Sequence, residues 1–192
     1  MMIRNRFLFP VLASLALAGC SDGVSSAEDA ELAYKGLDSS IDQAIQLGFD
    51  GFNAASSASI PPQTGKGTTT GTMTIAGKVD QGSSSNKTMS LTEALAMYSN
   101  DGKLTYDTTE GSLPVIDMKL SKIPTGTIDG TLKGAYKITG DLEGSVTLSL
   151  TFAGGLQAAA SDATKVERKP GTTHITGTAV SDFGTYDVDI TR

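Results

Sequence analysis

Cys20 and His174 are the only thiol and the only imidazole in a chain of 192 residues. A zinc or copper site draws several ligands from these two residue types, so no metal and no cofactor is expected. Nucleophilic catalysis fares no better. His174 lies among Thr173, Ile175 and Thr176, on the wet phase of an alternating stretch. No Gly-x-Ser-x-Gly turn is present to offer it a strained serine. Ser84-Ser85-Asn86-Lys87 has the Ser-x-x-Lys spacing of an acylating pair. That chemistry needs the serine at a helix start, and here it sits in a Gly-Ser-Ser-Ser-Asn loop. Asp182, Asp187 and Asp189 are close in sequence, but Asp187 and Asp189 alternate with apolar neighbours and so face water. Asp101, Asp129, Asp141 and Glu143 fall at turns or on wet faces, without the spacing of a calcium loop. A carboxylate pair acting on sugars would ordinarily sit beside aromatic platforms, and the chain has no Trp. The expected role is non-catalytic.

The elements that would carry these groups show two periods. Ser25-Ser26-Ala27-Glu28 fits a capping box, and Glu28, Asp29 and Glu31 suit the positive end of a helix dipole. Ala30, Tyr34, Leu37, Ile41, Ala44, Ile45, Gly48, Phe52 and Ala55 then recur at three- and four-residue steps, one apolar face of a helix. Gly36, Gly48 and Gly51 weaken it, so helix is expected over residues 27–47, and Ile60-Pro61-Pro62 stops any continuation.

Beyond Gly65 the period is two. Met73 to Val79, Ile128 to Ile138, Val146 to Phe152, Ile175 to Ala179 and Tyr186 to Ile190 each alternate apolar with Thr, Ser, Lys or Asp. Residues 87–98, 103–108 and 114–122 are weaker candidates; in the first, Glu93 intrudes on the apolar phase, and Leu91, Leu95 and Tyr98 would also suit a helix. Such alternation describes antiparallel strands with one buried face. The expectation is a mainly β domain. A meander of about eight strands forms a coiled sheet or small barrel, with the amphipathic helix packed on it. Residues 154–171, Ala-rich and then charged, read as a longer loop with room for one helical turn. Inward glycines (Gly71, Gly77, Gly130, Gly134, Gly144, Gly177) either bend the strands or leave room for a ligand. The face that would pack the helix, or shelter an apolar molecule, comprises Leu37, Ile41, Ile45, Phe52, Leu132, Tyr136, Leu148 and Phe152.

The N-terminus follows a different logic. Arg4 and Arg6, with no acid, precede an apolar run from Phe7 to Ala18. This is the layout of a secretory signal peptide. At about 1.5 Å per residue the run covers about 18 Å of a hydrocarbon core about 30 Å thick, too little to span. Leu17-Ala18-Gly19-Cys20 resembles the lipobox of bacterial lipoproteins. The resemblance implies cleavage between Gly19 and Cys20, a thioether-linked diacylglycerol on Cys20, and usually a third chain on its amino group. Two or three chains hold a protein on a bilayer stably, where one does not. Residues 20–25 read as a short tether, and the length of chain after the leader suits a single β-rich domain over residues 26–192. Ser21, rather than Asp, after the cysteine implies the outer membrane in a Gram-negative cell. The alternative is an ordinary secretory leader cut near Ala18, which leaves a free thiol.

Charge narrows the partners. The formal net charge is −6, and without Arg4 and Arg6 the remaining chain stands at −8. Such a chain repels phosphate backbones, so no nucleic acid is expected. The expected partners are the membrane, through acylated Cys20, and a protein of the cell envelope. The alternative is a carrier of a lipid or other apolar molecule in a helix-plugged half-barrel, an architectural likeness to periplasmic lipoprotein carriers. Replacing the thiol tests the anchor. Cys20→Ser should move the folded protein from the membrane to the soluble fraction after a high-salt wash.

Overall fold

The computed structural model describes residues 27–80 and 82–192; the leader, Gly19, Cys20 and the tether lie outside them. One helix, α1 (Ala27–Ala54), precedes ten strands: β1 (Ser59–Lys66), β2 (Thr70–Val79), β3 (Lys87–Ser99), β4 (Leu104–Asp107), β5 (Val115–Ser121), β6 (Thr127–Gly140), β7 (Gly144–Ala159), β8 (Asp162–Arg168), β9 (His174–Ser181) and β10 (Gly184–Thr191). All pairings are antiparallel, in one sheet ordered β1-β2-β3-β4-β6-β7-β9-β10, with β5 between β3 and β6 and β8 on β7.

The ten strands occupy eight positions. β4 and β5 lie end to end, since β4 pairs the last residues of β6 and β5 its first residues. β8 and β9 likewise share the flank of β7 away from β6. Leu156 N–H reaches Gly126 O on the β6 side, whereas the N–H of Gly155 goes to Thr172 Oγ1 and its carbonyl accepts from Lys169 N–H. The result is the expected meander of strands in a coiled sheet.

Four turns (β1–β2, β3–β4, β6–β7, β9–β10) gather at one end and are joined laterally. Thr69 N–H donates to Ser99 O, Asp141 N–H to Lys103 O, and Asp182 N–H to Ser145 O. The other end carries three turns, β2–β3, β5–β6 and β7–β8.

Helix α1 fills the concave side and touches both edge strands, β1 and β10. Tyr34 stacks on Tyr186 of β10 at 5.1 Å, and Gln43 Nε2 donates to Lys66 O of β1 at 3.3 Å. The helix thus bridges the opening of the curled sheet. Its start lies at the four-turn end, where Ala30 is against Gly184, and its last turn at the three-turn end, where Asn53 Nδ2 donates to Val166 O and Asn53 Oδ1 accepts from Val166 N–H.

Three expectations need correction. First, the helix continues seven residues beyond 47, to Ala54. Gly36, Gly48 and Gly51 do not end it; they are points of close approach. A Cβ at Gly36 would overlap the Tyr106 ring, one at Gly48 would meet Met118 and Leu91, and one at Gly51 would meet Ile60. Packing outweighs a propensity cost of about 1 kcal/mol per glycine. Phe49, not Phe52, is the fully buried aromatic near its end, and Phe52 is half-buried.

Second, residues 59–66 form an edge strand. Pro61 and Pro62 fall in an irregularity between Ile60 and Gln63, tolerated where no outer neighbour needs an N–H. Third, residues 154–171 are mostly strand. β7 runs on to Ala159 and returns as β8, with Leu156 and Val166 pointing into the core. Residues 87–98 are strand, with Glu93 inside.

The inward glycines do not leave ligand space. The Phe152 ring lies over Gly130, Pro114 covers Gly134, and Gly77 and Gly177 face the carbonyls of Ser90 and Ser149. Strand phase is directly testable. Leu148 is 1% exposed while its neighbour Thr147 faces out. Leu148→Asp should lower unfolding stability by roughly 4 kcal/mol or more, and Thr147→Asp by under about 1 kcal/mol, in urea titrations.

Candidate functional site

The face singled out from sequence is a single packed layer. Leu37, Ile41 and Ile45 of α1 and Leu132, Tyr136, Leu148 and Phe152 of the sheet all belong to one buried cluster, and Phe52 packs on its margin. These side chains fill the concavity themselves. Leu37 and Ile45 have no exposed surface, nor do Leu91, Ile116 and Ile138 across from the helix.

One polar group sits inside this layer. Glu93 is 1% exposed; its Oε2 accepts a 2.6 Å hydrogen bond from Tyr136 OH, while Oε1 has no partner. The site exists because the sheet is split there. Glu93 N–H donates to Pro114 O at 3.0 Å, just ahead of β5, and Leu95 N–H donates to Thr108 Oγ1 just after β4. Between those points β3 faces a loop rather than a strand, and Tyr136 of β6 reaches across. Burial pushes the Glu93 carboxyl up from 4.5 to about 7, and the Tyr136 hydrogen bond only partly offsets that. Burial and the neighbouring carboxylate drive the Tyr136 phenol well above its ordinary range. An apolar strand phase broken by one Glu was the available signal for this pair.

The outer face carries a trough of about 710 Å³ across β2, β3, β5 and β6. Its floor is the backbone of Val79, Met89, Met118 and Gly130, cross-strand neighbours whose side chains point inward. Lys78, Ser90, Asp117 and Thr131 form one wall; Asp80, Thr88, Lys119 and Asp129 form the other. Ser90 Oγ donates to Asp117 at 2.7 Å, and Thr88 N–H and Oγ1 both donate to Asp80, holding its carboxyl below the usual range. The surface left open between these walls is mostly apolar, and the Ser90 and Thr88 hydroxyls are engaged by Asp117 and Asp80. No imidazole lines this trough to turn a hydroxyl into a nucleophile. Nothing in the sequence located it, since it follows from the curvature of the sheet.

The remaining candidates are also placed. His174 is exposed on the outer face, with Nε2 2.6 Å from Asp189 Oδ1, while Thr151 and Thr176 hydroxyls bond each other. Lys87 Nζ turns to Gly82 O and toward Asp80 rather than to the Ser84 hydroxyl, whose Oγ accepts from Asn86 N–H. Among the described residues, no group of three His, Cys, Asp or Glu is placed to hold a metal. Cys20 lies outside the described residues. Comparison with protein-family models, with curated proteins and with solved structures found no match.

The buried carboxyl makes stability depend on pH in a defined direction. Glu93 holds its proton to about 7 in the folded state but only to about 4.5 in the unfolded chain. The folded state therefore binds more protons between those values, and stability falls as pH rises through that window, by on the order of 3 kcal/mol. Glu93→Gln should remove this component, so the variant and the parent diverge in denaturation midpoint between pH 4.5 and 7. Parallel curves would mean that Glu93 titrates as an ordinary carboxylate.

Proposed function

We propose that this protein is a lipid-anchored component of the bacterial cell envelope, held by acylated Cys20, with a structural or partner-binding role and no catalysis. The observation that carries the binding-or-structural half is the filled interior. A carrier of lipid needs an apolar cavity of several hundred cubic ångströms, and here the helix face and the sheet occupy that space with their own side chains. The outer face supports the same reading. Lys78, Lys119, Asp129, Thr131, Thr147 and Thr151 point outward, whereas a membrane-spanning barrel presents its apolar phase to lipid. Among the described residues, no helix is long and apolar enough to cross a membrane. The leader and the Leu17-Ala18-Gly19-Cys20 resemblance support the anchor and, with Ser21, the outer membrane of a Gram-negative cell.

Mass spectrometry of the protein extracted gently from its native membrane tests both halves at once. The expected species begins at Cys20, carries two or three acyl chains there, and brings no stoichiometric lipid beyond them. A free lipid bound one to one would favour the carrier, with α1 as a plug that yields. An unmodified Cys20 would remove the anchor.

A further inference from the structure

The start of the helix, the length of the strands and the length of chain before the helix together set how the domain stands on a bilayer. Cys20 and Ala27 are seven residues apart in sequence. At about 3.3–3.6 Å per residue, a fully extended chain of that length reaches about 25 Å. Ala27 opens α1 at the four-turn end of the sheet, where Ala30 meets Gly184 and Ser39 Oγ accepts from Asn100 Nδ2. α1 crosses the concave side obliquely, since Gln43 still meets Lys66 beside the β1–β2 turn. The strands therefore set the separation of the two ends: β7 joins the β6–β7 turn to the β7–β8 turn over 16 residues, about 50 Å along the strand. At a strand tilt of about 45° that is about 35 Å along the sheet axis, so if the three-turn end faced the membrane, Ala27 would stand about 35 Å off the surface, beyond that reach.

We propose that the end carrying the β1–β2, β3–β4, β6–β7 and β9–β10 turns faces the bilayer and that the three-turn end points away from it. This rests on the lipid anchor at Cys20. Charge does not oppose it. Asp101, Asp141, Glu143 and Asp182 outnumber Lys103 in these turns and would repel anionic headgroups on contact. Screening at physiological salt, however, confines that repulsion to about 8 Å, well inside the reach of the tether. The acids therefore keep the turns from adsorbing without turning the domain over. The orientation exposes to the envelope a cleft of about 420 Å³ at the far end, where Phe52, Ile123 and Pro124 meet Asn53 and Lys165. A protein partner approaching from the envelope side meets that end first.

Energy transfer to the membrane surface reads the orientation. The full chain is expressed with an azide-bearing amino acid at Thr68 or at Ser84, purified from membranes, and labelled with a donor dye. It is then reconstituted in phosphatidylethanolamine–phosphatidylglycerol vesicles holding an acceptor on their headgroups. Transfer from position 68 should exceed transfer from position 84 several-fold. Ten Gly/Ser residues inserted after Ser21 should shrink that difference, because the tether then outreaches the sheet. Equal or reversed transfer in protein shown by mass spectrometry to carry acylated Cys20 overturns the orientation and leaves the anchor standing. Native protein with unmodified Cys20 overturns both.

Discussion

The burial of one helical face against a curled sheet is the contact on which this structure depends. An isolated helix with three internal glycines would not persist in water, and most helical stability comes from packing an apolar face. The sheet has the converse need. Its edges β1 and β10 are not paired to each other, and its concave side is lined by Leu91, Ile116, Leu132, Ile138 and Leu148, which would otherwise meet water. Helix and sheet each supply the surface the other lacks. With no disulfide to hold the edges together, side-chain packing and a few polar ties do so: Gln43 to Lys66 on one edge, Asp38 to Arg192 beside the other.

Those ties divide by strength. Lys35 with Glu31 and Lys165 with Asp162 lie on exposed surface, where such pairs contribute little. Arg168 with Asp42, at 2.5 Å, is more sheltered on the arginine side and links α1 to β8. The Tyr106 hydroxyl donates to Ala33 O at 2.9 Å from within the core, and the glycine at position 36 makes room for its ring. A larger residue at 36 would push away the ring that anchors the middle of the helix. The glycines and the tyrosines of this interface are therefore a matched set, each small residue answering a large one.

The sheet was legible in the sequence because alternation is a local signal. Met73 to Val79, Ile128 to Ile138 and Val146 to Phe152 each declare their buried phase within a few residues, and the structure keeps it. The helix face was legible for the same reason, apart from Phe49, which took the place assigned to Phe52. What was hidden depended on partners far along the chain. Whether Gly48 weakens a helix or admits Met118 is decided by a strand seventy residues away. Residues 154–171 lacked alternation because only Leu156 and Val166 point inward there, and the pairing of β8 with β7 supplied the rest. Glu93 looked like a flaw in a strand and became a buried acid only because the β4–β5 break lets Tyr136 reach it. The trough on the outer face had no sequence signal at all.

The order of contacts also has a consequence for how the chain reaches its final form. Neighbours in the sheet are consecutive strands or, at β3–β5, β4–β6 and β7–β9, strands separated by one other, so the sheet can assemble from local hairpins. The helix is different. It precedes every described strand, yet Tyr34 rests on Tyr186 and Asp38 meets Arg192 beyond β10. A chain stopped before Gly184 would leave that side of the helix open to water. The helix therefore has no complete cover until β10 is in place, although it precedes every described strand in the chain.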